Sequence, residues 1–134
     1  MGLLTNSNRG SFVVVVAYWV VAGLLAVFYL YSGGIKVVQS REQLRPMMTW
    51  VDDLPMPIVR AIGVLEVLGA IGLIVPPLVG HSPALAISAA IGLLVLQAAA
   101  TGFHLSRGEK DRIGLNIGLI VVTAVTVWLA TVWL

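Results

Sequence analysis

The sequence predicts an all-α fold: a polytopic membrane bundle of four helices, with a short interfacial helix between helices 1 and 2. Of its 134 residues 59% are hydrophobic and only 10% are charged, whereas a soluble domain contains roughly 25% charged residues. Three stretches, 12–31, 67–106 and 113–134, contain no Asp, Glu, Lys or Arg. Each meets the requirement of roughly 20 apolar residues for crossing a bilayer.

The second uncharged stretch is long enough for two spans. Within it the sequence PPLVGHSP, residues 76–83, has three prolines and a glycine, which we expect to end one helix and start the next. We therefore predict helices at about 12–37, 57–75, 83–105 and 112–134, in one domain that covers residues 1–134. The first span has a longer apolar run than a signal peptide, and we expect it to remain in the mature protein.

The connection between the first two spans has a pattern of its own at about residues 41–54. Apolar residues recur there at helical spacing, with charged residues between them: Leu44, Met47, Met48, Val51 and Leu54. This pattern predicts a short amphipathic helix in the membrane interface, with Trp50 at the depth of the headgroups. The helix is either a simple connector or a lid or docking surface. Asp52 and Asp53 precede prolines and are interpreted as solvated turn residues.

The positions of the basic residues predict the orientation of the chain. Seven of them lie at the first and third connections and only Arg9 lies on the opposite side; the seven are Lys36, Arg41, Arg45, Arg60, Arg107, Lys110 and Arg112. Because basic loops stay in the cytoplasm, both termini are predicted to be extracytoplasmic, in a bacterial plasma membrane. The chain has no cysteine, and its net charge of +2 gives no indication of nucleic-acid binding.

Small residues recur where transmembrane helices have to approach each other closely. Gly114 and Gly118 form a GxxxG pair in the fourth span, and Ser82, Ala86 and Ala90 repeat every four residues in the third. Such residues let helix backbones pack closely in a bilayer. We expect them to pack the four helices against one another, with a homo-oligomer interface as the alternative.

A buried acid is the most unusual feature of the sequence. Glu66 is the one polar side chain in AIGVLEVLGAIGLIV, residues 61–75, and lies six residues after Arg60, about 9 Å below the end of its helix. Polar residues on the other three helices reach a similar depth. The candidate ligand-binding set is Glu66, His104, Gln97, Lys36, Tyr29 and Asn116, with Ser32 beside it.

This depth has an energetic consequence, because a charge inside a bilayer costs about 2.5 to 3.5 kcal/mol and nearly always faces a partner in the bundle. We expect Glu66 to point inward, with Lys36 or His104 as its partner. If it is desolvated and unpaired, it is expected in the protonated form, which donates a hydrogen bond to a carbonyl. A structural role in tying helices together and a role in binding or proton handling both remain open. One Glu and one His fall short of a metal site.

Several of these residues together resemble a known family. The first helix ends in SGGIKV, the connection ends in LPMP, IGVLEVLGAIGLIVP follows, and the third helix ends with a histidine before a charged turn. From about residue 20 onward, this pattern resembles the DoxX-like family of small four-helix membrane proteins. The resemblance implies that Gly34, Lys36, Glu66 and His104 belong to a shared site. It also implies a link to membrane redox systems, since relatives include subunits of a thiosulfate:quinone oxidoreductase.

Three functions remain as hypotheses. The preferred one is an accessory or anchor subunit that binds a quinone or a similar lipophilic molecule around Glu66 and works with a redox partner in the lipid bilayer. The second is a small-solute or proton-coupled transporter or channel in an oligomer, and the third is an assembly protein without a ligand. No cysteine or flavin motif suggests a complete enzyme in this chain, and no catalytic residue is assigned.

Overall fold

The computed structural model describes residues 2–109 and 113–134. Within them the chain forms five α-helices and no β-strand: α1 (Gly2–Val38), α2 (Arg41–Leu44), α3 (Met56–Val79), α4 (Leu85–Ser106) and α5 (Gly114–Ala130). Short 3₁₀ helices follow α2 at Thr49–Asp53 and α5 at Thr131–Trp133. The predicted all-α fold class is therefore confirmed.

Four of the helices are long and apolar enough to cross a membrane. In the described part of the chain these spans are Gly10–Val38, Met56–Val79, Leu85–Ser106 and Gly114–Trp133. Around the bundle α1 packs on α3, α3 on α4, α4 on α5, and α5 again on α1. We call the segment 39–55 the connecting segment. It lies at the same end of the bundle as the C-terminal end of α4, and we call this end the connection end. The opposite half of the bundle is called the far half.

The helix ends differ from the sequence-based boundaries by a few residues in several places, and two of the differences are informative. Helix α1 begins well before residue 12, because hydropathy marks the membrane span and not the polar first turns of the helix. Pro76 and Pro77 lie inside α3 and do not end it. A proline keeps a helical φ, but it removes one hydrogen bond and crowds the carbonyl group of the preceding turn. Transmembrane helices tolerate this. Helix α3 ends at Val79 and is capped by Gly80, whose φ of 72° is left-handed and suits a glycine.

The connecting segment is not one continuous helix. The four residues of α2 are followed by a turn and then by the 3₁₀ helix, because Pro46 has no N–H group to extend α2. Its apolar side chains do not simply face lipid as an interfacial helix would. Leu44 and Val51 are fully buried in a cluster with Ile35 of α1 and Val59 of α3.

The far half of the bundle is filled by small and aromatic side chains. Of the predicted small-residue repeat, Ala86 and Ala90 are buried, and Ala86 packs with Tyr18 and Leu129. Ser82, the third member, is exposed and precedes α4. Gly114 and Gly118, in contrast, face open space, since a Cβ added to either would meet nothing within 4 Å. The GxxxG pair therefore makes no contact inside this chain, among the residues that are described.

The predicted orientation leads to a labelling experiment, because the chain has no cysteine of its own. His81, between α3 and α4, and Glu42, in the connecting segment, are both exposed and lie at opposite ends of the bundle. In intact cells a membrane-impermeant thiol reagent should label His81→Cys and should label Glu42→Cys only after the membrane is permeabilised. The reverse pattern would place the connection end outside the cell. Lys110 and Arg112, which also support the orientation, lie outside the described residues.

Candidate functional site

Helices α1 and α3 cross at two glycines that face each other. A Cβ on Gly33 would lie 2.6 Å from the carbonyl oxygen of Gly63, and a Cβ on Gly63 would lie 2.7 Å from that of Gly33. Only glycine lets the two backbones approach so closely. Lys36 and Glu66 each lie three residues, about one turn, after one of these glycines, so the crossing brings their side chains together.

The two charges form a buried ion pair. Lys36 Nζ donates a hydrogen bond to Glu66 Oε1 at 2.5 Å, and the two side chains are only 7% and 4% exposed. Lys36 Nζ also donates to Ser32 Oγ at 3.2 Å and lies 5.5 Å from the ring centroid of Trp50, within reach of a cation–π attraction. Glu66 therefore points inward and is paired, so the condition for an unpaired, protonated Glu66 is not met.

Some buried polar atoms near this pair lack a hydrogen bond. The second carboxylate oxygen of Glu66, Oε2, has no partner in the described part of the chain, and neither has the hydroxyl of Tyr29 or that of Thr123. The Tyr29 hydroxyl lies close to Thr123 and Gln97 but makes a well-formed hydrogen bond to neither. Buried polar groups in proteins are nearly always satisfied, so these atoms are exceptions, and of the three residues only Glu66 lines the cavity described below.

A pair of amide side chains continues the polar region. Asn116 Nδ2 of α5 donates to Gln97 Oε1 of α4 at 3.4 Å, which is long for a hydrogen bond. Each amide has two donor hydrogens and one carbonyl acceptor. Within the described residues this contact does not use the Gln97 amide nitrogen or the Asn116 carbonyl oxygen.

His104 lies near the end of α4, and its side chain contacts a residue that follows this helix. Its Nδ1 is 2.8 Å from Glu109 Oε2, and the other oxygen of Glu109 accepts from Arg107 Nε at 2.6 Å. The hydrogen bond from His104 and then the Arg107 guanidinium hold the pKa of Glu109 below its ordinary value. The stabilisation from these contacts is fully present above the ordinary pKa of a glutamate. It is lost as the pH falls through the lowered pKa of Glu109. Arg107 also forms an ion pair with Asp53.

A cavity of about 540 Å³ lies between these groups at the connection end, a size typical of small-molecule sites. Aromatic and apolar side chains form much of its wall, among them Phe28, Trp50, Phe103, Met47, Met48 and Ala100. Its polar lining includes Ser32, Lys36, Glu66, Gln97, His104, Glu109 and Asn116. In residues 2–109 and 113–134, no three His, Asp or Glu side chains come together to hold a metal ion.

The structure brings most of the predicted residues to one cavity. Five of the six line it, and Tyr29 lies fully buried behind them. Lys36 is the partner of Glu66, while His104 binds Glu109 instead. Sequence reasoning missed Phe103, and it interpreted Trp50 as a headgroup anchor. A signal was present for both, since each is an aromatic residue at the same end of the bundle as Lys36.

These observations define a four-helix membrane protein with a cavity, polar at its base, at one end of the bundle. The sequence matches the family model described as the DoxX-like family over residues 20–127. The chain belongs to the DoxX-like family. The match includes all the residues that line the cavity. Comparison with curated proteins and with solved structures gives no match.

The ion pair leads to a prediction about stability. Lys36→Met removes one partner of the buried pair and leaves Glu66 without its donor, a change that costs roughly 3 to 5 kcal/mol in proteins. The double variant Lys36→Met/Glu66→Leu removes both charges and should recover most of that loss. Thermal or denaturant unfolding in detergent micelles measures the stability of the single and the double variant. A double variant as unstable as the single one would show that the pairing of the two charges is not what holds this region.

The glycine crossing offers a matched pair of variants on adjacent residues. Gly33→Ala places a methyl group against the Gly63 backbone and should separate α1 from α3, which lowers stability. Gly34→Ala should be neutral or slightly stabilising, because a Cβ there meets nothing within 4 Å and alanine favours a helix by about 1 kcal/mol over glycine. Equal effects of the two substitutions on the unfolding temperature would contradict the close crossing.

Proposed function

We propose that this protein binds a lipophilic molecule with an oxygen-bearing ring, a quinone or a close analogue, in the cavity at the connection end. In this proposal it is an accessory or anchor subunit of a membrane redox system. The observation that supports it most is the cavity itself, where the Lys36–Glu66 pair and two amides lie within a wall rich in aromatic and apolar side chains.

The wall and the polar groups suit different parts of such a ligand. A planar ring packs against aromatic side chains in stacked or edge-on arrangements, and Trp50, Phe28 and Phe103 offer such surfaces. An ammonium group has three donor hydrogens, and Lys36 uses two of them, on Glu66 and Ser32. The third, and the amide of Gln97, are suited to donate to a carbonyl oxygen of the ligand.

The position of the cavity suits exchange with a partner. In the predicted orientation the connection end faces the cytoplasm, so the ligand head would lie at the inner surface and an apolar tail would extend into the inner leaflet. A peripheral redox protein on the cytoplasmic side would then reach the head without crossing the bilayer. The chain itself is proposed to supply the binding site and not the redox chemistry.

The two other functions are less well supported. A transporter needs a path through both halves of the bundle, whereas the far half is packed with Tyr18, Ala22, Ala86, Leu129 and Ala130. A purely structural role for Glu66 is expected to satisfy both of its oxygens, and Oε2 has no partner among the described side chains. An oligomer would weaken the argument against a transporter, which rests on the packed far half. It would not change the argument against a purely structural role.

Binding can be measured with the protein in lipid nanodiscs, titrated with a short-chain benzoquinone. Trp50 lines the cavity, so bound quinone should quench part of the tryptophan fluorescence in a saturable way. Ala100→Phe fills the cavity and should weaken binding at least about tenfold, as expected for losing roughly 1.4 kcal/mol of contacts.

The matched control is Ala98→Phe, on the same helix at an exposed position that does not line the cavity. It should bind as the unmodified protein does. Saturable quenching that survives in Ala100→Phe, or that remains after Trp50→Phe, would place the ligand elsewhere and reject the proposed function at this cavity.

A further inference from the structure

We propose that the cavity binds the reduced, hydroxyl-bearing form of its ligand more tightly than the oxidised form. This inference rests on the proposed function and specifies its ligand: a hydroquinone in preference to the quinone. It follows from the kinds of hydrogen-bonding atoms at the cavity, and in particular from one carboxylate oxygen of Glu66 that has no donor among the described residues.

The ion pair places a donor and an acceptor side by side. Lys36 Nζ and Glu66 Oε1 are 2.5 Å apart, so one ligand oxygen near Lys36 is also near the carboxylate. A hydroxyl group both donates and accepts, whereas a quinone carbonyl only accepts. A hydroxyl therefore matches both members of the pair at once, and a carbonyl matches only Lys36.

The carboxylate has the capacity for that extra bond. Glu66 is buried and lines the cavity, and Oε2 has no partner in the described part of the chain. The terminal torsion of a glutamate is broad, so a small rotation presents either oxygen to a ligand while the other stays on Lys36. A quinone in the cavity leaves this acceptor unsatisfied in a place from which water has been displaced.

The size of the preference follows from this bond. Leaving a buried acceptor without a donor weakens binding by a factor of roughly ten per group. We therefore expect the hydroquinone to bind about tenfold more tightly or better. A site that holds the reduced form more tightly also raises the reduction potential of the bound couple, by about 30 mV for each tenfold preference in a two-electron couple.

The test compares three ligands that share a ring: a short-chain benzoquinone, its hydroquinone and the dimethyl ether of that hydroquinone. Binding to the full chain in nanodiscs is measured anaerobically by a separate calorimetric titration of each ligand, with a reductant present only in the hydroquinone titration. The hydroquinone should bind about tenfold more tightly than the quinone. The ether, which keeps the oxygens but has no donor, should lose that advantage.

Two variants connect the preference to the ion pair. Lys36→Met/Glu66→Leu removes donor and acceptor together, avoids an unpaired charge, and should bind quinone and hydroquinone with similar affinity. Glu42→Gln removes a carboxylate that is exposed in the connecting segment and does not line the cavity, so it should keep the full preference.

The outcomes separate this inference from the proposed function. If quinone and hydroquinone bind equally to the unmodified protein, or if the ether binds as tightly as the hydroquinone, the preference is rejected while the quinone site stands. If none of the three ligands binds in a saturable way, the proposed function itself fails. A double variant that keeps the preference would assign it to a group other than Glu66.

Discussion

The ion pair between Lys36 and Glu66 sets the arrangement of the whole connection end. Neither charge is stable alone at this depth in a bilayer, so helices α1 and α3 have to meet where the two side chains reach each other. The glycine crossing makes that approach sterically possible. Arg60 adds a third tie, because it donates to the carbonyl oxygen of Lys36 at 2.7 Å and also to that of Gln39. It thereby satisfies carbonyl groups at the end of α1, where a positive charge is favourable.

The connecting segment is built to stay in place over this pair. Arg41 donates to the carbonyl oxygens of Val51 and Leu54, which closes the segment on itself. Leu44 and Val51 anchor it in an apolar cluster on α1 and α3, and the ion pair of Asp53 with Arg107 ties its far side to α4. These contacts hold Trp50 above Lys36. The cavity is therefore covered by a packed segment with several independent attachments.

The sequence predicts the four spans and the inward direction of Glu66 well, because both depend on the energy of placing charged groups in a bilayer. It predicts close contacts less well. Gly33 and Gly34 are adjacent in the sequence, yet only Gly33 contacts α3, and the family pattern pointed to Gly34. The GxxxG pair of Gly114 and Gly118 was expected to pack against another helix, and it faces open space. Which glycine is used depends on helix rotation, and rotation is set by the partners of all four helices together.

The two halves of the bundle are packed differently, and the difference is relevant to the proposed function. The far half is filled by alanines and aromatic rings. The connection half keeps a cavity, a buried ion pair, and hydroxyl and carboxylate oxygens that have no hydrogen bond among the described residues. Each such unsatisfied oxygen destabilises a fold by about 1 to 3 kcal/mol. A molecule that satisfies these atoms binds the folded state and not the unfolded one, so its binding and the stability of the bundle are linked. The connection end has buried polar atoms that form no hydrogen bond with the described side chains. It is therefore the end that a bound molecule would stabilise most.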